Sequence, residues 1–258
     1  MNTALITGAS SGIGKELARI HASKKGDVVL VARREKALNE LKAELEQAYG
    51  ITATVLIADL SVPDSANKIF QATEAAGIQI DILINNAGFG GHGKFYERDL
   101  AKDQAMMQVN MVSLVNLTHL YLQGMVKRNS GKILHVASSA GFIPGPLQAV
   151  YYATKAFVNS FSQAIAQELS DTNVTSTALC PGAVATEFVA AGDLDGTGSW
   201  DNAATAKSVA QCGYDAMMKG DLIKINEGWL AFLLNWVIPF LPRKTVLKLS
   251  QNTMEKES

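Results

Sequence analysis

Short apolar runs and amphipathic stretches alternate along nearly the whole chain. Thr3–Thr7, Asp27–Ala32, Thr52–Ala58, Ile80–Ile84, Lys132–Ser138 and Val174–Leu179 are runs of strand length, rich in aliphatic residues, and Leu222–Ile225 is a shorter seventh. Runs that are apolar at successive positions suit strands covered on both faces, as in a parallel sheet. Between them lie helical patterns. Ile13, Leu17 and Ile20 share one stripe, and Glu35–Tyr49, Ala66–Ala76, Asp103–Arg128 and Tyr151–Leu169 follow. Strand and helix in strict alternation predict an α/β fold, a doubly wound parallel sheet of Rossmann type. No repeat or low-complexity linker divides it, so 1–258 is expected to be one domain.

Composition narrows the class without changing that picture. Hydrophobic residues make up 48% and charged residues 18%, the balance of a globular protein. A formal net charge of −1 gives no reason to expect nucleic acid as a partner. Cys180 and Cys212 have neither metal-ligand spacing nor a disulfide framework, so no metal is expected and a reducing cytoplasm fits. Met1 and Asn2 lead straight into the first strand with no basic leader, and no apolar run reaches the roughly 20 residues of a membrane span.

The chemistry gathers at the ends of the strands. The first breaks into Gly8-Ala9-Ser10-Ser11-Gly12-Ile13-Gly14 and then a helix, the context of a dinucleotide-binding turn. Gly8 allows the tight turn, Gly12 lets backbone approach a pyrophosphate, and Gly14 lets helix and strand pack closely. The second strand ends in Ala32-Arg33-Arg34, where an NAD site would carry an acid for the ribose hydroxyl. A guanidinium there suits a 2′-phosphate, hence NADP(H) over NAD(H). Asp59 and Leu60 close the third strand, and Asp59 either accepts from an adenine amino group or caps its own turn. Asn85-Asn86-Ala87-Gly88 closes the fourth. Asn110 interrupts a helical stretch where propensity gives no reason for an amide.

Tyr151 and Lys155 are four apart on a helix and therefore stacked on one face. An ammonium beside a phenol favours the phenolate and is expected to draw its pKa toward a working range. Ser138, at the end of the fifth strand, is delivered to the same place. With these motifs in register from Thr3 to about Thr186, the sequence resembles the short-chain dehydrogenase/reductase family. The resemblance implies a catalytic set of Asn110, Ser138, Tyr151 and Lys155. Tyr151 would act as acid or base, Lys155 would lower its pKa and hold the ribose, Ser138 would bond the substrate oxygen, and Asn110 would join a proton relay through water. Cofactor contacts are implied for Gly8, Ser10, Ser11, Gly12, Ile13, Gly14, Arg33, Asp59, Leu60, Asn86, Tyr151, Lys155, Pro181, Val184 and Thr186.

The expected activity is hydride transfer between NADP(H) and a carbonyl or secondary alcohol on an apolar small molecule. An NAD-dependent alcohol or steroid dehydrogenase and a non-catalytic cofactor-binding regulator remain alternatives. A homodimer or homotetramer is expected. His92, in the glycine-rich loop after Gly88, is a candidate for touching substrate, whereas His21, His119, His135 and Tyr152 read as packing or surface residues. Residues 183–202 are expected to form a substrate loop, and 228–258 an apolar extension. Within that extension, 229–241 carries a single polar side chain, Asn235, and is followed by Arg243, Lys244 and Lys248. It reads as a buried helix, a dimer surface, a lid or a peripheral membrane contact.

Overall fold

The structure is a computed structural model that describes residues 2–197 and 203–256. Its centre is a seven-stranded parallel sheet of β1 (Thr3–Thr7), β2 (Asp27–Ala32), β3 (Ala53–Ile57), β4 (Ile82–Asn85), β5 (Gly131–Val136), β6 (Val174–Leu179) and a short last strand, Ile223–Lys224. The order is β3-β2-β1-β4-β5-β6 followed by that last strand. Strand order reverses between β1 and β4, paired through Ile6 and Ile84. In folds of this kind the crevice at the carboxyl edge of the sheet beside such a reversal is the usual ligand site.

Alternate residues of each strand enter different layers. Ala4 and Ile6 of β1 pack with Leu17 of α1 (Gly12–Ser23), Leu38 of α2 (Glu35–Tyr49) and Val209 and Met217 of the helix Ala206–Lys219. Leu5 packs the other way, with Ile69 of α3 (Ser65–Ala75) and Leu117 and Met125 of the helix Leu114–Arg128. The two-residue period of a strand therefore serves both helical layers.

The expected helix over 103–128 is interrupted. It comprises α4 (Leu100–Met107), a wider π turn at Gln108–Ser113, and α5 (Leu114–Arg128). The catalytic-type helix is α6 (Ala149–Glu168), which starts two residues before the predicted boundary and puts Tyr151 in its first turn. Beyond β6, β7 (Val184–Ala185) pairs in parallel with β8 (Ala204–Thr205), and α7 (Phe188–Ala191) lies between them in sequence. The part of the expected substrate loop at 198–202 lies outside the described residues. Then come α8 (Ala206–Lys219), the sheet's last strand β9 (Ile223–Lys224), and α9 (Gly228–Phe232), which runs on through a π turn at Leu233–Val237 and a tight turn at Ile238–Phe240. Pro239 ends that helical path. The last helix is α10 (Arg243–Met254).

Candidate active site

The glycine loop is shaped by what a side chain would hit. Gly8 and Gly12 have left-handed φ of 67° and 53°, a conformation glycine adopts without a Cβ penalty. A methyl on Gly14 would collide with Asn86 Nδ2 and the Gly8 carbonyl oxygen, so α1 and the strand ends meet backbone to backbone. Asn86 Nδ2 donates to the Thr7 carbonyl at 2.8 Å, and Thr7 Oγ1 accepts from the N–H groups of Asn86 and Ala87, both at 3.0 Å. Ser11 caps α1 without a side-chain bond. The Ser11 side chain thus leaves the first-turn amides to other acceptors, an arrangement that suits an anion. A dinucleotide phosphate fits these residues.

At the end of β2 both arginines are exposed. Arg34 donates to Ser10 Oγ from Nε and from one terminal nitrogen, at 3.2 and 3.1 Å, and pairs with Glu187 at 2.8 Å. Arg33 stands 3.9 Å from Asp59. Asp59 Oδ1 accepts from the Ser61 N–H and hydroxyl, so it caps its own turn, the plainer of the two expectations. Leu60 was expected at the cofactor. Its side chain is buried in the core and its carbonyl accepts from Ser113 Oγ.

Tyr151, Lys155 and Ser138 converge as the spacing predicts. Lys155 Nζ lies 5.7 Å from the centroid of the Tyr151 ring and donates to the Val136 carbonyl at 2.8 Å. Ser138 begins the tight turn Ser139–Phe142 and accepts from the Ala140 N–H at 3.1 Å. The electrostatics differ from expectation. Burial raises the Tyr151 phenol above its ordinary value, and the Ser138 hydroxyl opposes this only in part. Burial likewise lowers Lys155 to about 8. Loss of solvation outweighs attraction between two groups that do not touch.

Asn110 sits in the π turn. Its Oδ1 accepts from the Phe89 N–H at 3.1 Å, and Nδ2 donates to the Phe89 carbonyl and to Thr154 Oγ1, both at 3.0 Å. Both amide hydrogens are therefore used by protein groups. Thr154 donates in turn to the Tyr151 carbonyl at 2.7 Å. The amide ties the loop after β4 to the first turn of α6, beside Gly88. A methyl on Gly88 would lie 3.0 Å from Asn110 Oδ1 and 3.5 Å from Lys155 Nζ.

The loop after β6 completes the crevice. The Pro181 carbonyl accepts from the Ser139 N–H at 2.8 Å, Val184 is buried against the sheet, and Thr186 lies beside Gly12, where an added methyl would meet its Cγ2 at 3.1 Å. Phe188 packs on Tyr151 with ring centroids 5.3 Å apart. Sequence reasoning missed Arg34, Glu187 and Phe188. The first stood inside a motif already singled out, and the other two carry no local signal. His92 bonds the Met254 carbonyl at 2.7 Å, so it joins the loop after β4 to α10. Among the other histidines, His21 is buried between Tyr214 and the Asn2 carbonyl, His119 bonds Gln123, and His135 is buried in β5.

Comparison with known proteins is consistent throughout. The family model described as short chain dehydrogenase matches residues 2–195. The very-long-chain 3-oxoacyl-CoA reductase of Macaca fascicularis is 29% identical over 96% of this chain and 78% of its own length. The human protein of that name is 34% identical over 72% of this chain and only 60% of its own length. A short-chain dehydrogenase from Sphingobium yanoikuyae in complex with NADPH superposes with a TM-score of 0.85 at 29% identity, covering 93% of each chain. These matches and the sheet together place the chain in the short-chain dehydrogenase/reductase family of oxidoreductases.

Proposed function

We propose that this protein transfers a hydride between NADP(H) and a carbonyl or secondary alcohol on an apolar small molecule. The observation that carries the cofactor choice is the exposed pair Arg33 and Arg34 at the end of β2, with Arg34 already bonded to Ser10 of the glycine loop. A 2′-phosphate would meet two guanidiniums and a hydroxyl there, and no acid replaces them at the strand end. Glu187 and Asp59, the present partners of the two arginines, are exposed enough to yield them. Solved relatives titled as complexes with NADPH or NADP+ support the reading.

Bound NADP(H) supplies or accepts the hydride. Tyr151 Oη gives a proton to the carbonyl oxygen in reduction and takes it back in oxidation. Ser138 Oγ donates to the same oxygen and stabilises charge as it develops. Lys155 spends one N–H on Val136, which leaves two further donors of its ammonium for ribose hydroxyls. Asn110 is a positioning residue that holds the loop at Gly88–Phe89 against α6. Pro181, Val184 and Thr186 form the wall facing the nicotinamide end.

The apolar substrate class rests on the surroundings of Tyr151. Met106, Ala140, Tyr152, Phe89, Ile143, Val150 and Phe188 pack about it, and none of them carries charge. Relatives named for very-long-chain acyl and 7β-hydroxysteroid substrates point the same way. The test is oxidation of NADPH and of NADH, in parallel, against ketones of increasing apolar size. Arg33→Ala should weaken NADPH by about one to two decades, the worth of one charge-assisted bond, and leave NADH unchanged. Equal use of NADH and NADPH by the wild type would overturn the cofactor assignment.

A further inference from the structure

The segment from α9 to the turn before α10 has two apolar faces, and the fold uses only one. Leu230, Ala231, Leu234 and Ile238 pack on Leu114, Ala137, Val158 and Cys180. On the opposite side Trp229, Phe232, Trp236 and Phe240 are 65%, 63%, 69% and 79% exposed. Their spacing of three, four and four residues sets them in a single stripe along the helical path. At about 150–250 Å² per aromatic side chain, the stripe exposes on the order of 400–700 Å² of apolar surface. That matches the largest patch of a typical monomer, concentrated in four rings.

Charge says what covers it. Residues 228–254 contain no acid, while Arg243, Lys244 and Lys248 are exposed and take part in no ion pair among the described residues. Trp229 already bonds Glu227 through its indole N–H at 2.7 Å, so its ring is presented with its polar atom satisfied. Tryptophan on an apolar stripe next to cations is the composition of a helix lying in a bilayer interface. No described helix is long and apolar enough to cross a membrane, which fits a segment lying along one.

We propose that Trp229, Phe232, Trp236 and Phe240, with Arg243, Lys244 and Lys248, seat this protein on an anionic lipid surface. A methyl on Gly182 would touch Leu230 at 3.1 Å, so the docked segment backs directly onto the loop after β6 at the crevice. The proposal does not depend on the substrate or cofactor assignment. Removing the segment would uncover the core beneath Leu234, so substitutions on its outer face are the appropriate test.

The full chain is sedimented with vesicles of phosphatidylcholine alone and of phosphatidylcholine mixed with phosphatidylserine. The wild type should pellet with the mixed vesicles and show a blue-shifted tryptophan emission. Trp236→Ser with Phe240→Ser should lower partition at least tenfold. Lys244→Glu with Lys248→Glu should abolish the preference for the anionic vesicles. Both double variants alter exposed side chains, and an unchanged circular dichroism spectrum and melting temperature report their folding. Should either fail to fold, quenching of wild-type tryptophan by brominated lipid decides the matter. A wild type that stays in the supernatant and is not quenched overturns the proposal. So does a Trp236→Ser, Phe240→Ser variant that changes from dimer to monomer while vesicle binding is unaltered, because the stripe would then be a contact between two copies.

Discussion

Gly14 in the first turn of α1 and Gly228 in the first turn of α9 live under opposite constraints. A methyl on Gly14 of α1 would strike Asn86 and the Gly8 carbonyl, whereas a methyl on Gly228 of α9 would meet nothing within 4 Å. The contrast extends to the walls they belong to. On the strand-end wall, Thr7, Asn86, Asn110 and Thr154 bond one another's segments through buried or half-buried hydrogen bonds. The wall formed after residue 183 has strands of two residues. Within it the exposed pair Lys256–Asp193 closes at 2.8 Å, and His92 on the Met254 carbonyl ties it to the loop after β4. Exposed pairs of that kind are worth about 0–1 kcal/mol. Buried hydrogen bonds fix the cofactor side. The later wall is anchored in the core by Leu234 but has short strands and exposed outer residues, so its outer face can change sequence without unfolding the sheet.

The largest effect is expected where the walls meet. Tyr151→Phe should lower kcat by on the order of 10²–10⁴, the range of a lost general acid, with NADPH affinity nearly unchanged. Stopped-flow rates and a binding titration measure the two quantities separately. Retention of more than a tenth of the wild-type rate would remove Tyr151 from its role.

The strand-end wall should also reveal itself in acid. His135 is fully buried, its Nε2 has no hydrogen-bond partner among the described residues, and burial lowers it to about 3. A base with a depressed folded pKa binds fewer protons than its unfolded counterpart between the two values. Stability is therefore lost as pH falls from about 6.5 toward 3, by at most about 5 kcal/mol at roughly 1.36 kcal/mol per unit. Urea denaturation at several pH values should show this slope in the wild type and a shallower one in His135→Gln. Parallel slopes would mean that His135 gains a partner on protonation.

Gly14→Ala comes next, with a loss of about 3 kcal/mol in unfolding free energy, because the obstacle is backbone that cannot rotate away. A melting temperature within a degree or two of wild type would show that the strand-end wall yields as readily as the other.

What the sequence disclosed follows the same division. The strands, the glycine loop and the Tyr151–Lys155 stacking depend on rules spanning a few residues, and each lies within about two residues of its expected place. Three features depend on distant packing and were hidden. The carbonyl that accepts the Lys155 hydrogen bond belongs to Val136, on another element. The phenol of Tyr151 moves up rather than down because burial decides it. The break at Asn110 is a π turn whose amide answers to Phe89 and Thr154, neither of them a neighbour in sequence. The segment after Gly228 was illegible for another reason. Its residues are apolar on every side, so no periodicity distinguishes the buried Leu234 from the exposed Trp236.

The smallest effect tests the comparison from its weaker side. Gly228 is the first residue of α9, its φ is not left-handed, and the space around its missing Cβ is open. Alanine fits there without strain, and it narrows the conformations open to the unfolded chain. That alone is worth about 0.4–1 kcal/mol in favour of the native state. Gly228→Ala should therefore raise the melting temperature slightly and leave NADPH binding unchanged. A stabilisation with turnover also unchanged would show that α9 is a scaffold for the crevice with no need to flex. A stabilisation with slower turnover would show that the C-terminal wall opens during the cycle at this position. A clear destabilisation would mean that α9 is packed as closely as α1, and the division between the two walls would fail.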